Sequence, residues 1–380
     1  MNVLQSTLNL TPAYPLENLA PQKDILLLDI ETTGFSANHA SIYLIGCIYY
    51  ACSSASWKLC QWFCESPEEE ASLLASFFSF LAPFTTLIHY NGDAFDLPFI
   101  RSRSQFHKLA CPLSGLTSID LYQKIRPWKA ALSLRSLKQA SLEPLLGISR
   151  KAPYTGRQLI AVYQDYLSSQ KTSLLHLLIQ HNQEDLQGLF GLLPLLAYAD
   201  LPAASFSLVR EQICNTENRL TLELLCQSPC AVSAPFQIEY PLAAIRGQKP
   251  GFTSDDIAVN PFASIQGQDT QITCRLPMYQ GELKYFYPDY KNYYYLPCED
   301  MAIHKSVGSY VAKEARKKAT PQTCYSKKTG LFFPQPTTLL QPAFQIEYQG
   351  RPIYAEYQEG FFSNSKTLST FLRAFFPLCP

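Results

Sequence analysis

The hydrophobic pattern of this chain changes near residue 204, and this change constrains the fold more than any other feature of the sequence. Upstream, apolar runs of strand length alternate with segments whose apolar residues recur at helical spacing. Downstream, short β-prone runs are separated by Pro and Gly. The pattern therefore predicts an N-terminal arm at 1–24, an α/β domain at 25–204 and a smaller β-rich domain of the α+β class at 205–380.

The boundaries of the predicted elements follow from the same periodicities. The run from Ile25 to Leu28 has the length of a buried strand, and three prolines between 12 and 21 interrupt any regular pattern before it. The predicted strands of the first half are 25–28, 41–50, 57–63 and 86–89. Its predicted helices are 68–81, 95–103, 133–142, 157–167 and 173–192. The second half has one predicted helix at 306–318.

The charge balance and the distribution of apolar residues narrow the class of protein. Lys plus Arg and Asp plus Glu number 31 each, so any affinity for nucleic acid must come from a local patch. We find no run of 18 apolar residues and no secretory signal at the start, so we expect a cytoplasmic protein that does not enter a membrane. The 12 cysteines form no Cys-x-x-Cys pair, which favours free thiols over a zinc site.

The strongest local feature is a pair of carboxylates, Asp29 and Glu31, at the end of the first apolar run. The strand period of two places both side chains on one face, where they repel each other. Such a pair invites a cation like Mg²⁺, which prefers carboxylate oxygens. The alternative for an isolated Asp-x-Glu is that each residue caps a turn or pairs with a Lys or Arg.

Further acidic residues in the same half strengthen the interpretation as a metal site. Asp96 falls in the first turn of a predicted helix, and Asp93 is read as its N-cap. Asp185 follows His181 by four residues on another predicted helix, so an imidazole and a carboxylate share one face. That pairing suits a general base beside a metal ligand, and a surface His–Asp pair without a catalytic role is the alternative.

Three segments containing these residues together resemble the YprB-like ribonuclease H-like family of the DEDD exonucleases. The resemblance covers roughly residues 24 to 198, and the segments are LDIETTG at 28–34, YNGDAFD at 90–96 and HNQED at 181–185. It implies a mixed five-stranded sheet flanked by helices. It also implies that two Mg²⁺ or Mn²⁺ ions are held by Asp29, Glu31, Asp96 and Asp185.

The resemblance further implies a divalent-metal-dependent 3′–5′ exonuclease that acts on the 3′ end of single-stranded DNA or RNA by a two-metal mechanism. His181 would orient or deprotonate the attacking water, although families with a histidine at this place generally use His-x4-Asp rather than the His-x3-Asp spacing found here. The residues expected to bind substrate are Thr32, Thr33, Asn91 and Lys138. Asp120 also fits the family pattern, but a solvated Asp before a helix and a solvated Lys138 are equally compatible alternatives.

Two other functions remain open from the sequence. A structure-selective endonuclease could use the same metal site, since the ligands define hydrolysis but not the need for a free end. A catalytically inactive nucleic-acid-binding protein could retain the fold, although the presence of all four carboxylates argues against it.

The second half contains a tyrosine-rich, basic region. Six tyrosines lie between 284 and 295, and seven Lys or Arg residues face one acidic residue between 304 and 330. Aromatic faces beside cations suit single-stranded nucleic acid, so this half is expected to be an accessory substrate-binding module. The alternative is a tyrosine-rich hairpin packed on its own core beside a solvated basic helix.

Overall fold

The computed structural model describes residues 1–150, 154–216, 219–241 and 262–377. The remaining parts of the predicted C-terminal domain, 217–218, 242–261 and 378–380, lie outside these described residues. The described chain forms two compact units, Met1–Ala199 and Asp200–Pro377.

A six-stranded mixed sheet forms the centre of the first unit. Its strand order is β1-β4-β3-β2-β5-β6, in which β2, β5 and β6 run parallel and the other neighbours pair antiparallel. The strands are β1 (Asn2–Leu8), β2 (Ile25–Thr32), β3 (Ile42–Ala51), β4 (Ser56–Phe63), β5 (Thr86–His89) and β6 (Thr117–Asp120).

The sheet has one strand more than the five that the family resemblance implies. Residues Asn2–Leu8, predicted as part of an arm, instead pair with β4 at the edge of the sheet. Most of this segment is exposed, so main-chain hydrogen bonds hold it and no hydrophobic pattern reveals it. The predicted α/β fold class is confirmed, and the strand count and the exclusion of residues 2–8 from the sheet are corrected.

Helices flank the central strands of this sheet. Ile25 to Leu28 of β2 are all buried, as expected for a strand inside an α/β sheet. Thr155 and Gln158 form a capping box at the start of the helix Gly156–Ser169. The helices are α1 (Glu70–Leu81), α2 (Asp96–Phe106), α3 (Leu121–Ile125), α4 (Gln139–Leu142), α5 (Gly156–Ser169), α6 (Thr172–Gly191) and α7 (Leu196–Asp200).

One predicted helix is much shorter in the structure, and one long helical stretch is strongly apolar. The predicted helix at 133–142 is wrong over most of its length, because Ser133 takes a left-handed φ of 52° and only Gln139–Leu142 is helical. The stretch Thr172–Ala203 is long and apolar enough to cross a membrane, but 61% of its most apolar window is buried within the protein. Such burial is typical of a core helix.

The second unit is built from three small sheets. Their orders are β7-β8-β9, β10-β14-β16-β15 and β12-β11-β13. The elements are β7 (Ser207–Thr216), β8 (Arg219–Pro241), β9 (Phe262–Pro277), β10 (Tyr279–Phe286), β11 (Tyr293–Leu296), β12 (Met301–His304), α8 (Lys305–Gly308), β13 (Lys317–Lys318), β14 (Tyr325–Gln335), β15 (Ala343–Phe344), β16 (Ile353–Glu356) and α9 (Ser365–Arg373).

The predicted helix at 306–318 is wrong beyond its first turn. Helix α8 ends at Gly308, and Lys317–Lys318 pair as a strand with β11. The guanidinium of Arg316 lies 4.5 Å from the centre of the Tyr294 ring, and its Nη1 donates to the carbonyl of Gly308. These contacts hold the segment against β11, and tertiary contacts therefore override the helical pattern.

The tyrosines of this unit contact one another and the protein's own cations. Tyr287 and Tyr293 stack with ring centres 4.6 Å apart. The Lys305 ammonium and the Arg316 guanidinium both lie over the Tyr294 ring. The contacts favour an internally packed aromatic cluster over an open platform for bases.

Part of the basic surplus of this region is neutralised by acids from elsewhere in the unit. Lys327 lies 2.6 Å from Asp300, and Lys328 lies 2.7 Å from Glu356. Between 304 and 330, three exposed lysines form no ion pair with any described residue, and we call them the lysine patch: Lys313, Lys317 and Lys318.

Candidate active site

Strand β2 presents two carboxylates near its carboxyl end. Asp29 lies opposite Gly46 of β3, and Glu31 lies opposite Leu44. The pairing shifts by one residue immediately after Glu31, which ends the regular ladder. Asp29 and Glu31 are two residues apart on one strand, so their side chains share a face of the sheet.

The third carboxylate comes from the start of helix α2. Asp96 is the first residue of that helix and is buried. Its Oδ1 accepts a hydrogen bond of 3.2 Å from the backbone N–H of Ile30, the residue between Asp29 and Glu31. The turn after β5 therefore brings Asp96 against the carboxylate pair of β2.

Helix α6 supplies the fourth carboxylate and a histidine. His181 Nε2 lies 3.0 Å from Asp185 Oδ2 and 3.9 Å from Glu31 Oε1. One ligand atom each from Glu31, His181 and Asp185 lie within 4.8 Å of one another. The i,i+4 spacing on α6 thus places both side chains beside the end of β2.

Burial and mutual repulsion dominate the electrostatics of this cluster. Burial raises the pKa of Asp29 well above its usual range, and the charges of Asp185, Glu31 and Asp96 raise it further. Burial also raises the pKa of Glu31 to about 8 and that of Asp96 to about 7. For Glu31, the charge of His181 partly offsets the effect of burial.

His181 lies between two acidic groups and is 4% exposed. Burial lowers the pKa of His181, but the hydrogen bond to Asp185 and the charges of Asp185 and Glu31 outweigh it and leave the pKa raised. Its Nε2 faces both carboxylates, whereas its Nδ1 has no hydrogen-bond partner among the residues that the structure describes.

A partly exposed arginine, Arg150, pairs with the buried Glu143 beside the cluster, and no sequence pattern predicts this pair. Arg150 Nη1 donates to Asp185 Oδ1, and its Nε and Nη2 both donate to Glu143, which is 1% exposed. Burial raises the pKa of Asp185, but the hydrogen bond and charge of His181 and the charge of Arg150 lower it overall. Arg150 is distant in sequence from Asp185, so no spacing pattern could have revealed the contact.

Gln139 and Gly188 determine where the Glu143 side chain lies. Gln139 Nε2 donates 3.2 Å to Glu143 Oε1 and 2.8 Å to the backbone carbonyl of Asp185. Gly188 of α6 leaves the room for Glu143, since a Cβ at Gly188 would lie 2.1 Å from Glu143 Oε1. The Arg150–Glu143 pair is therefore built into the packing of α6.

The residues expected to bind substrate are mostly engaged in local contacts. Thr32 donates 2.7 Å to the carbonyl of Gly34, and the Thr33 hydroxyl accepts 2.9 Å from the N–H of Ser41. Asn91 has a left-handed φ of 59°, which Asn tolerates better than most residues. Lys138 is exposed and directly precedes Gln139. Their role toward substrate stays a prediction.

A second group of acidic residues lies at the ends of β5 and β6 and has a structural explanation. The Asp120 carboxylate accepts from the backbone N–H groups of Asn91, Asp93 and Tyr122. His89 Nδ1 accepts from the N–H of Gly92, and its Nε2 lies 2.7 Å from the Ser118 hydroxyl. Asp120 thus fixes the turn that carries Asp96.

Asp93 does not cap helix α2, contrary to the sequence prediction. The N-cap position is Phe95, and the Asp93 carboxylate instead accepts a 2.6 Å hydrogen bond from the Ser118 hydroxyl. The turn 91–95 separates Asp93 from the start of the helix, so an acidic residue shortly before the helix does not mark its N-cap here.

The donor set at the end of β2 fits divalent cations. Its four carboxylates are Asp29, Glu31, Asp96 and Asp185, and hard oxygen ligands of this kind are those that Mg²⁺ and Mn²⁺ prefer. Burial raises the pKa of Asp29, Glu31 and Asp96, and the charges of neighbouring carboxylates raise it further. Only Asp185 has a lowered pKa, and its partners are His181 and Arg150.

Comparisons with known proteins agree with this geometry. Residues 26–197 match a family model described as RNase_H superfamily. The protein YprB of Bacillus subtilis (strain 168) is 29% identical over 174 residues, which cover 45% of this chain and 41% of YprB. The matching region therefore spans less than half the length of that relative.

Solved structures show weaker similarity. A family B DNA polymerase from Pyrobaculum calidifontis is 15% identical, with 47% of this chain and 26% of the polymerase covered and a TM-score of 0.37. A zinc-bound E. coli exonuclease I in complex with single-stranded DNA is 16% identical, with 65% of each chain covered and a TM-score of 0.30. Fold assignment accordingly relies on the family model and the sheet topology. The expected family resemblance is confirmed: residues 26–197 match the ribonuclease H superfamily model and are similar in sequence to YprB.

Proposed function

We propose that this protein is a divalent-metal-dependent nuclease that hydrolyses phosphodiester bonds, and specifically a 3′–5′ exonuclease with a two-metal mechanism. One observation carries the proposal: Asp29, Glu31, Asp96 and Asp185 meet at the end of β2 although they come from three elements. Three of these carboxyl groups have raised pKa values, as expected where cations belong.

The four carboxylates would hold two Mg²⁺ or Mn²⁺ ions, which supply Lewis acidity and neutralise charge on a phosphate. His181 is proposed to orient or deprotonate the attacking water through Nε2, the ring nitrogen that faces Asp185 and Glu31. The His-x3-Asp spacing is compatible with this role, since one turn of α6 places the two groups 3.0 Å apart.

Substrate binding is proposed for groups around and beyond the carboxylates. Thr32, Thr33, Asn91 and Lys138 are the proposed contacts to the terminal nucleotide, and a cytoplasmic location remains part of the proposal. The exposed lysine patch of the second unit is proposed to contact the phosphate backbone of a single strand. The 3′ end of single-stranded DNA or RNA is the proposed substrate.

The test is a cleavage assay with end-labelled substrates. The full-length protein and its Asp29→Ala variant are incubated with 3′- and 5′-labelled single-stranded DNA and RNA, with Mg²⁺ or Mn²⁺ and with EDTA. We expect mononucleotides released from the 3′ end, and no release in EDTA or by the variant. Internal cuts would favour the endonuclease alternative, and tight binding without any cleavage would favour an inactive nucleic-acid-binding protein.

A further inference from the structure

Asn182 is fully buried and connects a carboxylate of the proposed metal site to a distant strand. Its Nδ2 donates a 2.7 Å hydrogen bond to Asp29 Oδ2. Its Oδ1 accepts a 2.8 Å hydrogen bond from Nε2 of Gln61, which is 2% exposed. The two bonds link β4 to β2 through a side chain of α6.

Gly46 makes this link possible. Asp29, Gly46 and Gln61 are cross-strand partners on β2, β3 and β4, so they form one row across the sheet. A Cβ at Gly46 would lie 1.9 Å from Asn182 Oδ1 and 2.7 Å from a methyl of Leu186. A glycine weakens a strand interior, and here it lets the Asn182 amide lie directly on the sheet.

The orientation of both amides is determined by a backbone carbonyl. Gln61 Nε2 also donates 2.9 Å to the carbonyl oxygen of Ile179, which can only accept. The same nitrogen must then face Asn182 Oδ1, and Asn182 must direct its NH₂ group at Asp29. A donor held in this place fixes the direction of the Asp29 carboxyl group.

We infer that Asn182 is a positioning residue that holds Asp29 as an oriented ligand, and that Gln61 sets the direction of its amide. This inference rests on the proposed function, in which Asp29 binds a divalent cation. Groups that hydrogen-bond to a ligand fix its orientation, and their loss typically lowers metal affinity by about 10- to 100-fold.

The test measures Mn²⁺ binding by electron paramagnetic resonance, without nucleic acid, on the full-length protein. We expect Asn182→Ala to weaken Mn²⁺ binding by about 10- to 100-fold. Gln180→Ala is the surface control, since Gln180 is exposed on the same helix and bonds only Glu184 among the described residues. Leu178→Ala is the packing control. Leu178 is buried in the hydrophobic core, so this variant should have a lower melting temperature and an unchanged Mn²⁺ affinity.

A second variant tests whether Gln61 sets the direction of the Asn182 amide. In Gln61→Glu, a carboxylate faces the Ile179 carbonyl and the Asn182 Oδ1, so the Asn182 amide must turn its oxygen toward Asp29. We expect weaker Mn²⁺ binding. Because Gln61 bonds Ile179 and Asn182 and no carboxylate in the described structure, this loss would be transmitted through Asn182. Gln61→Met, which removes the orienting donor without adding charge, should give a smaller loss.

The outcomes separate this inference from the proposed function. Wild-type affinity in Asn182→Ala, together with loss of binding in Asp29→Ala, would overturn the inference alone. Absence of Mn²⁺ binding by the wild-type protein would overturn the proposed function and the inference with it. Thermal unfolding of each variant verifies that the protein measured is folded.

Discussion

Arg150 donates a hydrogen bond to Asp185, the carboxylate that also accepts from His181, so both oxygens of Asp185 face a cationic or potentially cationic side chain. The other three carboxylates of the cluster have raised pKa values, and Asp185 alone has a lowered one. Arg150 therefore competes with a divalent cation for Asp185 Oδ1, while its two bonds to Glu143 anchor it in the fold.

Arg150→Met is predicted to raise affinity for Mn²⁺ several-fold and to destabilise the protein. One competing positive charge disappears from the site, but the buried Glu143 loses its partner, which costs on the order of 3 kcal/mol. Mn²⁺ titration and denaturant unfolding measure the two effects. Arg157→Met on the exposed face of α5 should change neither. Weaker Mn²⁺ binding by Arg150→Met would mean that Arg150 positions Asp185 instead of competing with the cation.

The metal-free protein is predicted to lose stability as pH rises from 5 to 8. Burial raises the pKa of Glu31 from 4.5 to about 8 and that of Asp96 from 3.8 to about 7, so the folded state binds more protons than the unfolded state in this range. The stabilising contribution of the protonated groups is thus complete below pH 4 and lost as pH passes 7 to 8. The free energy of unfolding, measured in EDTA across this range, tests the slope.

Added Mg²⁺ is predicted to stabilise the protein more at pH 8 than at pH 6, because ionised carboxylates bind it and protons compete with it. Glu31→Gln should flatten the metal-free pH dependence, since it removes one of the titrating groups. Constant stability of the metal-free wild type between pH 5 and 8 would contradict the electrostatic description of the cluster.

Gly188→Ala is predicted to destabilise the protein, although Ala normally stabilises a helix relative to Gly by up to about 1 kcal/mol. The new Cβ would lie 2.1 Å from Glu143 Oε1, and Arg150 holds that carboxylate in place. Gly156→Ala in α5 is the matched control, because a Cβ there has no heavy atom within 4 Å. Thermal denaturation should show a lower melting temperature for Gly188→Ala and a higher one for Gly156→Ala. Equal stabilisation of both variants would mean that the Glu143 side chain can move away from the new Cβ.

Replacing the lysine patch with glutamine, as Lys313→Gln, Lys317→Gln and Lys318→Gln together, is predicted to weaken binding to single-stranded nucleic acid. Each lost phosphate contact should reduce the slope of log K against log salt by about 0.7. The control variant carries Lys327→Gln and Lys328→Gln, whose charges are already paired with Asp300 and Glu356. An equal change of slope in both variants, measured by fluorescence anisotropy, would remove the patch from the proposed interface.

Much of the first unit and of its candidate site could be predicted from the sequence. The apolar run before Asp29 and the helical spacing of His181 and Asp185 are local patterns with periods of two and 3.6 residues. Helix α6 at Thr172–Gly191 is close to its predicted range, and β2 begins at Ile25 as predicted but continues to Thr32, four residues beyond the predicted end. Asp96 was placed in the first turn of a helix and begins α2.

The misplaced elements share a physical cause. Strand β1 was missed because its pairing with β4 depends on main-chain hydrogen bonds, which leave no hydrophobic pattern. The helices expected at 133–142 and 306–318 were too long because Ser133 and Arg316 make turn and tertiary contacts that helical spacing cannot reveal. The tyrosine-rich segment was expected to offer bases a stacking surface, and its rings instead stack on one another or lie under Lys and Arg.

The sequence by itself determined which residues carry charge and which of them share a strand face or a helix face, because these relations depend only on backbone geometry over a few residues. Only the tertiary structure decided that Arg150 meets Asp185 and that Gln61, 121 residues from Asn182, orients the amide bonded to Asp29. Contacts of this kind depend on how strands and helices pack, and on the space left by Gly46 and Gly188, so no local pattern encodes them.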